Sequence, residues 1–265
     1  MKNIEISHLF TYPLKSAKGI SLQSTEVTPS GFTFDRCFAV MNSQNVIITA
    51  RENPILLSIS CVSTHTTLSF SHPSQNDCIV AIETLQNTTP VTLFKKETSG
   101  KSFTNTAINQ WLSEVLQENC TLITINPTQL RTVQHNTSNS AINFSDAYPL
   151  HLINEASVKN LQKKLDQPIT PFRFRANIII KGCPAYEEEN WQHIRIGNCS
   201  FEIVCPTKRC SLITINPNTL QKSNTQEPLR SIAQHKPNSK GAYFGMYLLP
   251  KTTGTLHKSD TISVL

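Results

Sequence analysis

The chain has 265 residues, 38% hydrophobic and 16% charged, a soluble globular composition with room for one large core or two modest ones. No stretch reaches the roughly 18–20 apolar residues of a membrane span. MKNIEISHLF has neither a secretory core nor a transit peptide's Arg/Ser bias, so the expected location is cytoplasmic.

The first half reads mainly as strands. IEISHLFTYPL alternates in polarity and stops at Pro13. RCFAVMN and VIITA are β-rich runs separated by Ser43-Gln44-Asn45, a hairpin spacing. LLSISCVS, TLSFS and CIVAIET continue the pattern, with a turn over residues 72–77 between the last two. TAINQWLSEVLQ is the first helix: Ala107, Trp111, Val115 and Leu116 share a face, and Thr106 or Asn105 caps it. The polar stretch from Leu130 to Asp146 reads as a long loop, of a length that is often functional or mobile. NEASVKNLQKKL is a second helix, with Asn154 as N-cap and Val158, Leu161 and Leu165 inward. Strands follow in NIIIKG, HIRIG, SFEIVC, SLITIN, FGMYLLP and TISVL, and a short helix starts near Glu227-Pro228. Without repeats or low-complexity segments, this order predicts a mainly β fold, with a few peripheral helices and barrel-like closure.

The net charge of +6 comes from scattered Lys and Arg, with no basic block and no interleaved aromatics. Nucleic acid is therefore not an expected partner. A solvated surface or a local pocket for an anionic small molecule both fit. The eight cysteines, at 37, 61, 78, 120, 183, 199, 205 and 210, form no Cys-x-x-Cys or Cys-x-x-His pair, so zinc and iron–sulfur ligation lack their usual spacing. In the cytosol disulfides are rare, which leaves most of these thiols as small core residues.

Cys210 follows Lys208 and Arg209 and begins a strand-like run. Cationic neighbours favour thiolates, the form that attacks electrophiles and binds metal, although the same pattern also suits a buried structural thiol. Other basic groups sit beside turns: Lys15 and Ser16 after Pro13, Arg36 at the start of the next strand, and Arg173 and Arg175 before a buried strand entered at Asn177. Arg at strand ends suits phosphate or another multivalent anion, because its planar fork donates bidentately; a surface charge is the plainer reading of each. There is no Gly-rich phosphate loop, no G-x-S-x-G and no H-E-x-x-H. Cys210 with His151 or His193 would be a cysteine hydrolase pair only if the fold brought them together, and Glu187-Glu188-Glu189 reads as a solvated acidic turn.

Nine stretches resemble, in order, the MOSC family with its N-terminal β-barrel companion domain, the group that includes the amidoxime-reducing proteins. They are LFTYPLKSAKG, FDRCFAV, ITARENP, INQWLSEVL, FSDAYPLHLINEASVKNL, FRFRANIIIKGCPAYEEENW, TKRCSLITINPNT, QEPL and FGMYLL, spread over nearly the whole chain. The resemblance implies an N-terminal β-barrel-like domain over residues 1–122 and a MOSC β-barrel domain with peripheral helices over 123–265, α+β overall.

It also implies a molybdenum cofactor, molybdenum on a molybdopterin. Cys210 would be the metal ligand and catalytic residue, with Lys15, Ser16, Arg36 and Arg175 holding the pterin and its phosphate. Lys208, Arg209, Tyr148 and Tyr247 match further cofactor-lining positions, and Asn177 matches the asparagine of F-R-x-N. There are departures. Thr207 stands where relatives often have a second cysteine, Ala147 and Tyr148 where they have small hydroxyl residues, and Ala176 where proline is common.

The implied activity is reduction of N-hydroxylated compounds, with electrons from a separate reductase, ferredoxin-like or flavin protein. The alternative is a cofactor carrier or persulfide-carrying module without turnover, and a β-barrel interaction protein with structural cysteines is the third reading. Neither a ferredoxin extension nor a pyridoxal-phosphate desulfurase domain is expected.

Overall fold

The computed structural model describes residues 3–82, 85–136, 138–235 and 241–265. The first half of the chain forms β1 (Glu5–Thr11), β2 (Ile20–Leu22), β3 (Ser24–Thr28), β4 (Gly31–Phe32), β5 (Phe38–Asn42), β6 (Ser60–Ser63), β7 (Thr67–His72), β8 (Gln75–Ala81), β9 (Leu85–Leu93), β10 (Lys96–Phe103) and helix α1 (Thr106–Leu116). The second half forms β11 (Cys120–Ile125), β12 (Arg131–His135), β13 (Ser138–Ile142), β14 (Leu150–Asn154), α2 (Glu155–Gln162), β15 (Ile178–Lys181), β16 (His193–Ile196), β17 (Cys199–Lys208), α3 (Leu229–His235), β18 (Tyr243–Pro250), β19 (Gly254–His257) and β20 (Ile262–Val264). The fold is mainly β, as the sequence predicts.

The largest sheet has eight strands in the order β2-β1-β15-β14-β18-β17-β16-β20. The first strand of the chain therefore lies deep within the second half's sheet, with Leu9 opposite Ile178. Only β14 and β15 run parallel, and α2 makes the crossover that such a pair requires. The three isoleucines of β15 explain its place. Ile178 and Ile180 face a core with Ile6, Leu152 and Phe201, while Ile179 faces the opposite core with Val158, Phe174 and Phe244. A strand buried on both faces reads as a continuous apolar run, and this one does. The ladder is not continuous between β20 and β1, so the sheet is not a fully closed barrel. Its ends are nevertheless tied, because Ile262 N–H donates to Ile4 O at 2.8 Å and Ile6 N–H to Asp260 O at 3.0 Å.

A third core, built from Leu14, Phe38, Val40, Leu56, Phe70 and Leu112 among others, lies between β5, β10 and β11, the meander β6-β7-β8 and α1. In α1 the buried positions are Ile108, Trp111, Leu112, Val115 and Leu116, one stripe at helical spacing. Ile108, not Ala107, begins that stripe. Asn105 is the cap, accepting from the N–H groups of Ala107 and Ile108. For α2 the cap is Asn154, as expected.

Several local expectations are corrected. VIITA is not a strand; Val46 and Ile47 form only isolated bridges, to Thr92 and Met41. Pro54–Ser58 is a 3-10 helix capped by Asn53, so the LLSISCVS strand begins only at Ser60. The turn before CIVAIET shrinks because β8 begins at Gln75, and that segment's Glu83-Thr84 end lies outside the described residues. The polar stretch from Leu130 to Asp146 is not a loop but the hairpin β12–β13, with Arg131 opposite Ile142; Thr137 within it lies outside the described residues. Ser211–Thr214 is a 3-10 helix rather than a strand, closed by the Thr214 hydroxyl on Ser211 O at 2.7 Å. The acidic triplet is not fully solvated. Glu188 is 1% exposed and accepts from Ser157 Oγ at 2.8 Å and Asn154 Nδ2 at 3.1 Å, pinning the start of α2. Among the described residues no helix is long and apolar enough to cross a membrane.

Candidate functional site

The ten residues that the family resemblance singles out all line one cleft, built from both halves of the chain. Lys15 enters it from the turn after β1, where its N–H donates to Phe38 O at 2.7 Å. Its side chain is buried; Nζ donates to Phe144 O at 2.8 Å and pairs with Asp146 Oδ1 at 2.6 Å. Burial lowers the Lys15 pKa, against the pull of Asp146. Partial burial acts to raise the Asp146 pKa, but Lys15, with Arg36 and Arg51 further off, outweighs it and leaves the carboxyl at about 2.

Arg36 is fixed from three sides. Nη1 donates to Asp35 Oδ2 at 2.5 Å and to Asn177 Oδ1 at 3.0 Å, and Nη2 donates to Arg175 O at 3.0 Å. Burial opposes the Arg36 charge, but Asp35 more than compensates, so its pKa is raised. Asp35 itself is 1% exposed and also accepts the Tyr12 N–H at 2.8 Å. The guanidinium carbons of Arg36 and Arg175 lie 4.2 Å and 4.4 Å from the centre of the same Tyr12 ring. Burial pushes the Tyr12 phenol up to about 12 and Arg175 down to about 10. Ser16, Arg36 and Arg175 all have positive φ, of 69°, 51° and 55°. Such backbone outliers in non-glycine residues cluster at ligand clamps.

Asn177 joins three strands. Its Nδ2 donates to Phe10 O at 3.2 Å, and its Oδ1 also receives the His151 N–H at 3.3 Å. His151, on β14, faces Phe244 O with Nε2 at 3.3 Å and Arg209 Nη1 with Nδ1 at 3.4 Å. Burial and the nearby Arg209 charge hold its pKa well below the usual imidazole value. Both ring nitrogens are therefore engaged elsewhere, and among the described residues neither makes a hydrogen bond to Cys210. His193 is on β16, outside the cleft. The hydrolase pair is not built. Gly245 makes room for His151: it has φ of 76°, and a Cβ there would lie 2.5 Å from His151 Nε2.

Arg209 donates through Nη2 to Phe174 O at 2.7 Å. Cys210 caps the 3-10 helix Ser211–Thr214 through its backbone, with no side-chain cap bond, and its thiol is half-buried at the cleft wall. Lys208 is exposed at the rim. Tyr148 and Tyr247 stand with ring centres 5.2 Å apart. Tyr148 is positioned by the hairpin before it, whose His135 ring meets it edge-on and whose Nε2 pairs with Glu202 Oε1 at 3.0 Å.

The cleft thus holds the cations Lys15, Arg36, Arg51, Arg175, Lys208 and Arg209 against one lining acid, Asp146. Among the described residues, two guanidinium nitrogens, Arg175 Nη2 and Arg209 Nε, are buried without a hydrogen-bond partner. A buried N–H left unpaired is costly, so this set fits an anionic ligand that brings acceptor oxygens. Among the described residues no group of three or more His, Cys, Asp or Glu could hold a metal by itself. A metal at Cys210 would have to arrive with its other ligands. The sequence reading missed Tyr12, Asp35, Arg51, Asp146 and the structural role of His151; of these, only Asp35, next to Arg36 in the chain, had a signal that could have been read.

Residues 3–119 match the MOSC N-terminal beta barrel domain, and residues 139–263 match the MOSC domain. Mitochondrial amidoxime-reducing component 1 of Mus musculus is 30% identical over 283 residues, covering 98% of this chain and 82% of that protein. The Homo sapiens protein of the same name is 28% identical, with 98% and 82% covered. Molybdenum cofactor sulfurase of Oryza sativa subsp. japonica is 26% identical over 270 residues, which are 94% of this chain and 33% of that protein.

Proposed function

The chain belongs to the MOSC family, and from that premise we propose that its cleft binds the molybdenum cofactor and reduces N-hydroxylated compounds with electrons from a separate protein. The pair of buried, partnerless guanidinium nitrogens on Arg175 and Arg209 carries this reading. A pterin phosphate offers the oxygens they lack, and Arg forks receive phosphate bidentately.

Each residue then has a defined task. Cys210 supplies a soft thiolate to the metal. Arg36, Arg175 and Arg209 receive the anionic tail, with Lys15 buried beside them. Tyr148 and Tyr247 give the cleft an aromatic flank. His151 orients Arg209 through its Nδ1 and carries no proton of the reaction. When bound, the cofactor supplies oxygen-atom and electron transfer, which no side chain of this chain provides. Cleaving the substrate's N–O bond consumes electrons and protons and releases water, so a donor protein and solvent must deliver both.

The test is metal and pterin analysis of the protein beside Cys210→Ala, followed by turnover of a benzamidoxime with a reductase. The expected result is molybdenum and turnover in the wild type and loss of both in the variant. A full molybdenum load with no turnover of any N-hydroxylated compound removes the reductase reading and leaves cofactor binding standing. The likeness to the sulfurase favours one second reading, a persulfide carrier, for which cyanide would release thiocyanate from the wild type and not from Cys210→Ala.

A further inference from the structure

We propose a second small-molecule site, for an aromatic carboxylate, in the cavity that shares Arg175 and Leu212 with the cleft and is also lined by Tyr12. The cavity measures about 680 Å³, within the range of small-molecule sites, and it is more apolar than polar. Leu57 and Ile215 reach it from the core around Leu14 and Phe38, and Phe10 from the core around Phe174 and Phe244.

The chemistry of the lining selects the ligand. Phe10 and Phe172 meet edge to face with centres 5.0 Å apart, and His8 completes the group at 6.2 Å and 6.0 Å from them. Phe172 is 46% exposed although it belongs to this cluster. Such an array accepts a further ring in edge or offset contact. The charged residues of the lining are Lys18, Arg173 and Arg175, with no Asp or Glu among them. Arg175 donates through Nη1 to Ala17 O at 2.5 Å and stacks on the Tyr12 ring, and its unpartnered Nη2 is the one assigned above to the cofactor's anion. Arg173 is different: its half-buried guanidinium makes no hydrogen bond or ion pair among the described residues. Burial without a partner also lowers its pKa. A planar carboxylate satisfies that fork while its ring covers Phe172.

The site is separate from the cofactor's. Lys208 and Cys210 line the cleft and not this cavity, whereas Arg173 and Phe172 line this cavity and not the cleft. The experiment is calorimetric titration of the folded protein with 2-naphthoate and with its neutral analogue 2-naphthamide. Saturable naphthoate binding is expected, with the amide at least about tenfold weaker, the size of one charge-assisted hydrogen-bond pair. Arg173→Gln should weaken naphthoate about tenfold and Phe172→Ala several-fold, both with unchanged melting temperature and molybdenum content. Lys208→Gln should bind naphthoate as the wild type does. No binding to the wild type, equal binding of the amide, or wild-type affinity in both Arg173→Gln and Phe172→Ala would overturn the proposal. So would loss of binding in Lys208→Gln, which would put the ligand in the cleft.

Discussion

Arg36 Nη1 donates to Asn177 Oδ1 at 3.0 Å, a bond between residues 141 positions apart. It joins the turn before β5 to the mouth of β15, and Asn177 uses its remaining capacity on Phe10 O and the His151 N–H. Asn177→Ala therefore strands several buried groups at once. The expected loss is about 2–3 kcal/mol, read as a lower urea midpoint with unchanged slope. Cofactor retention should fall with it, because Arg36 loses one of its anchors.

The two carboxylates beside cleft cations should behave differently. Asp35 is 1% exposed and pairs with a buried Arg36, and breaking such a pair from one side costs about 3–5 kcal/mol. Asp146 pairs with buried Lys15, but its own side chain is 54% exposed and an amide there still offers Lys15 Nζ an acceptor, so Asp146→Asn should cost less than Asp35→Ala at pH 7. Chemical unfolding of Asp35→Ala and Asp146→Asn in parallel checks the contrast; equal losses would contradict it.

Stability should also fall on mild acidification through His151. Its folded pKa is depressed well below 6.5, so below 6.5 the unfolded chain takes a proton that the folded ring refuses. The contribution is complete above pH 6.5 and is lost as pH falls toward the folded value, by at most about 2 kcal/mol at pH 5. Asp146, held at about 2, adds its own loss only below the ordinary carboxylate range near 3.8. His151→Gln can still accept from Arg209 but cannot titrate. It should flatten the melting temperature between pH 7 and 5, and a slope equal to the wild type's would exclude His151 as the source.

Inorganic phosphate should stabilise cofactor-free protein. At about ten times its dissociation constant the linkage is worth about 1.4 kcal/mol, a rise of roughly 3 °C in melting temperature for a chain of this size. Chloride at equal ionic strength should not reproduce it, and Arg209→Gln should lose most of it. A shift retained in that variant would place the anion elsewhere.

Much of this was legible beforehand, for reasons that particular residues make plain. Ile178–Ile180 declared a doubly buried strand, and Asn105 and Asn154 declared their helices. The cleft residues were found because their types, Lys, Arg and a thiol, lie in stretches the family shares. What escaped has a common cause. LQNTTPVTL and KETSGKSF are mostly polar strands that, among the described residues, bury only the side chains of Val91, Leu93 and Phe103, and they turn at Phe94 and Lys95, which adopt positive φ without a glycine to announce it. SLITIN has β-branched residues that favour a strand, but packing of Ile213 and Ile215 into two different cores bends it into a helical turn. Asp146 looks like a surface charge in sequence because its partner Lys15, 131 positions away, is brought to it by the fold. The boundaries 1–122 and 123–265 remain a proposal.

The placement of β1 beside β15 has a consequence for how such a gene can change. Lys15 is anchored to Phe144 O, Arg36 to Arg175 O and Arg175 to Ala17 O, so each half of the chain holds the other's cations in place. A fragment encoding residues 123–265 would leave Ile178 without Leu9 and the Arg175 fork without its carbonyl. Recombination can add a whole cassette before or after this chain, but a crossover in its middle would hand each descendant half a sheet and a loose set of charges.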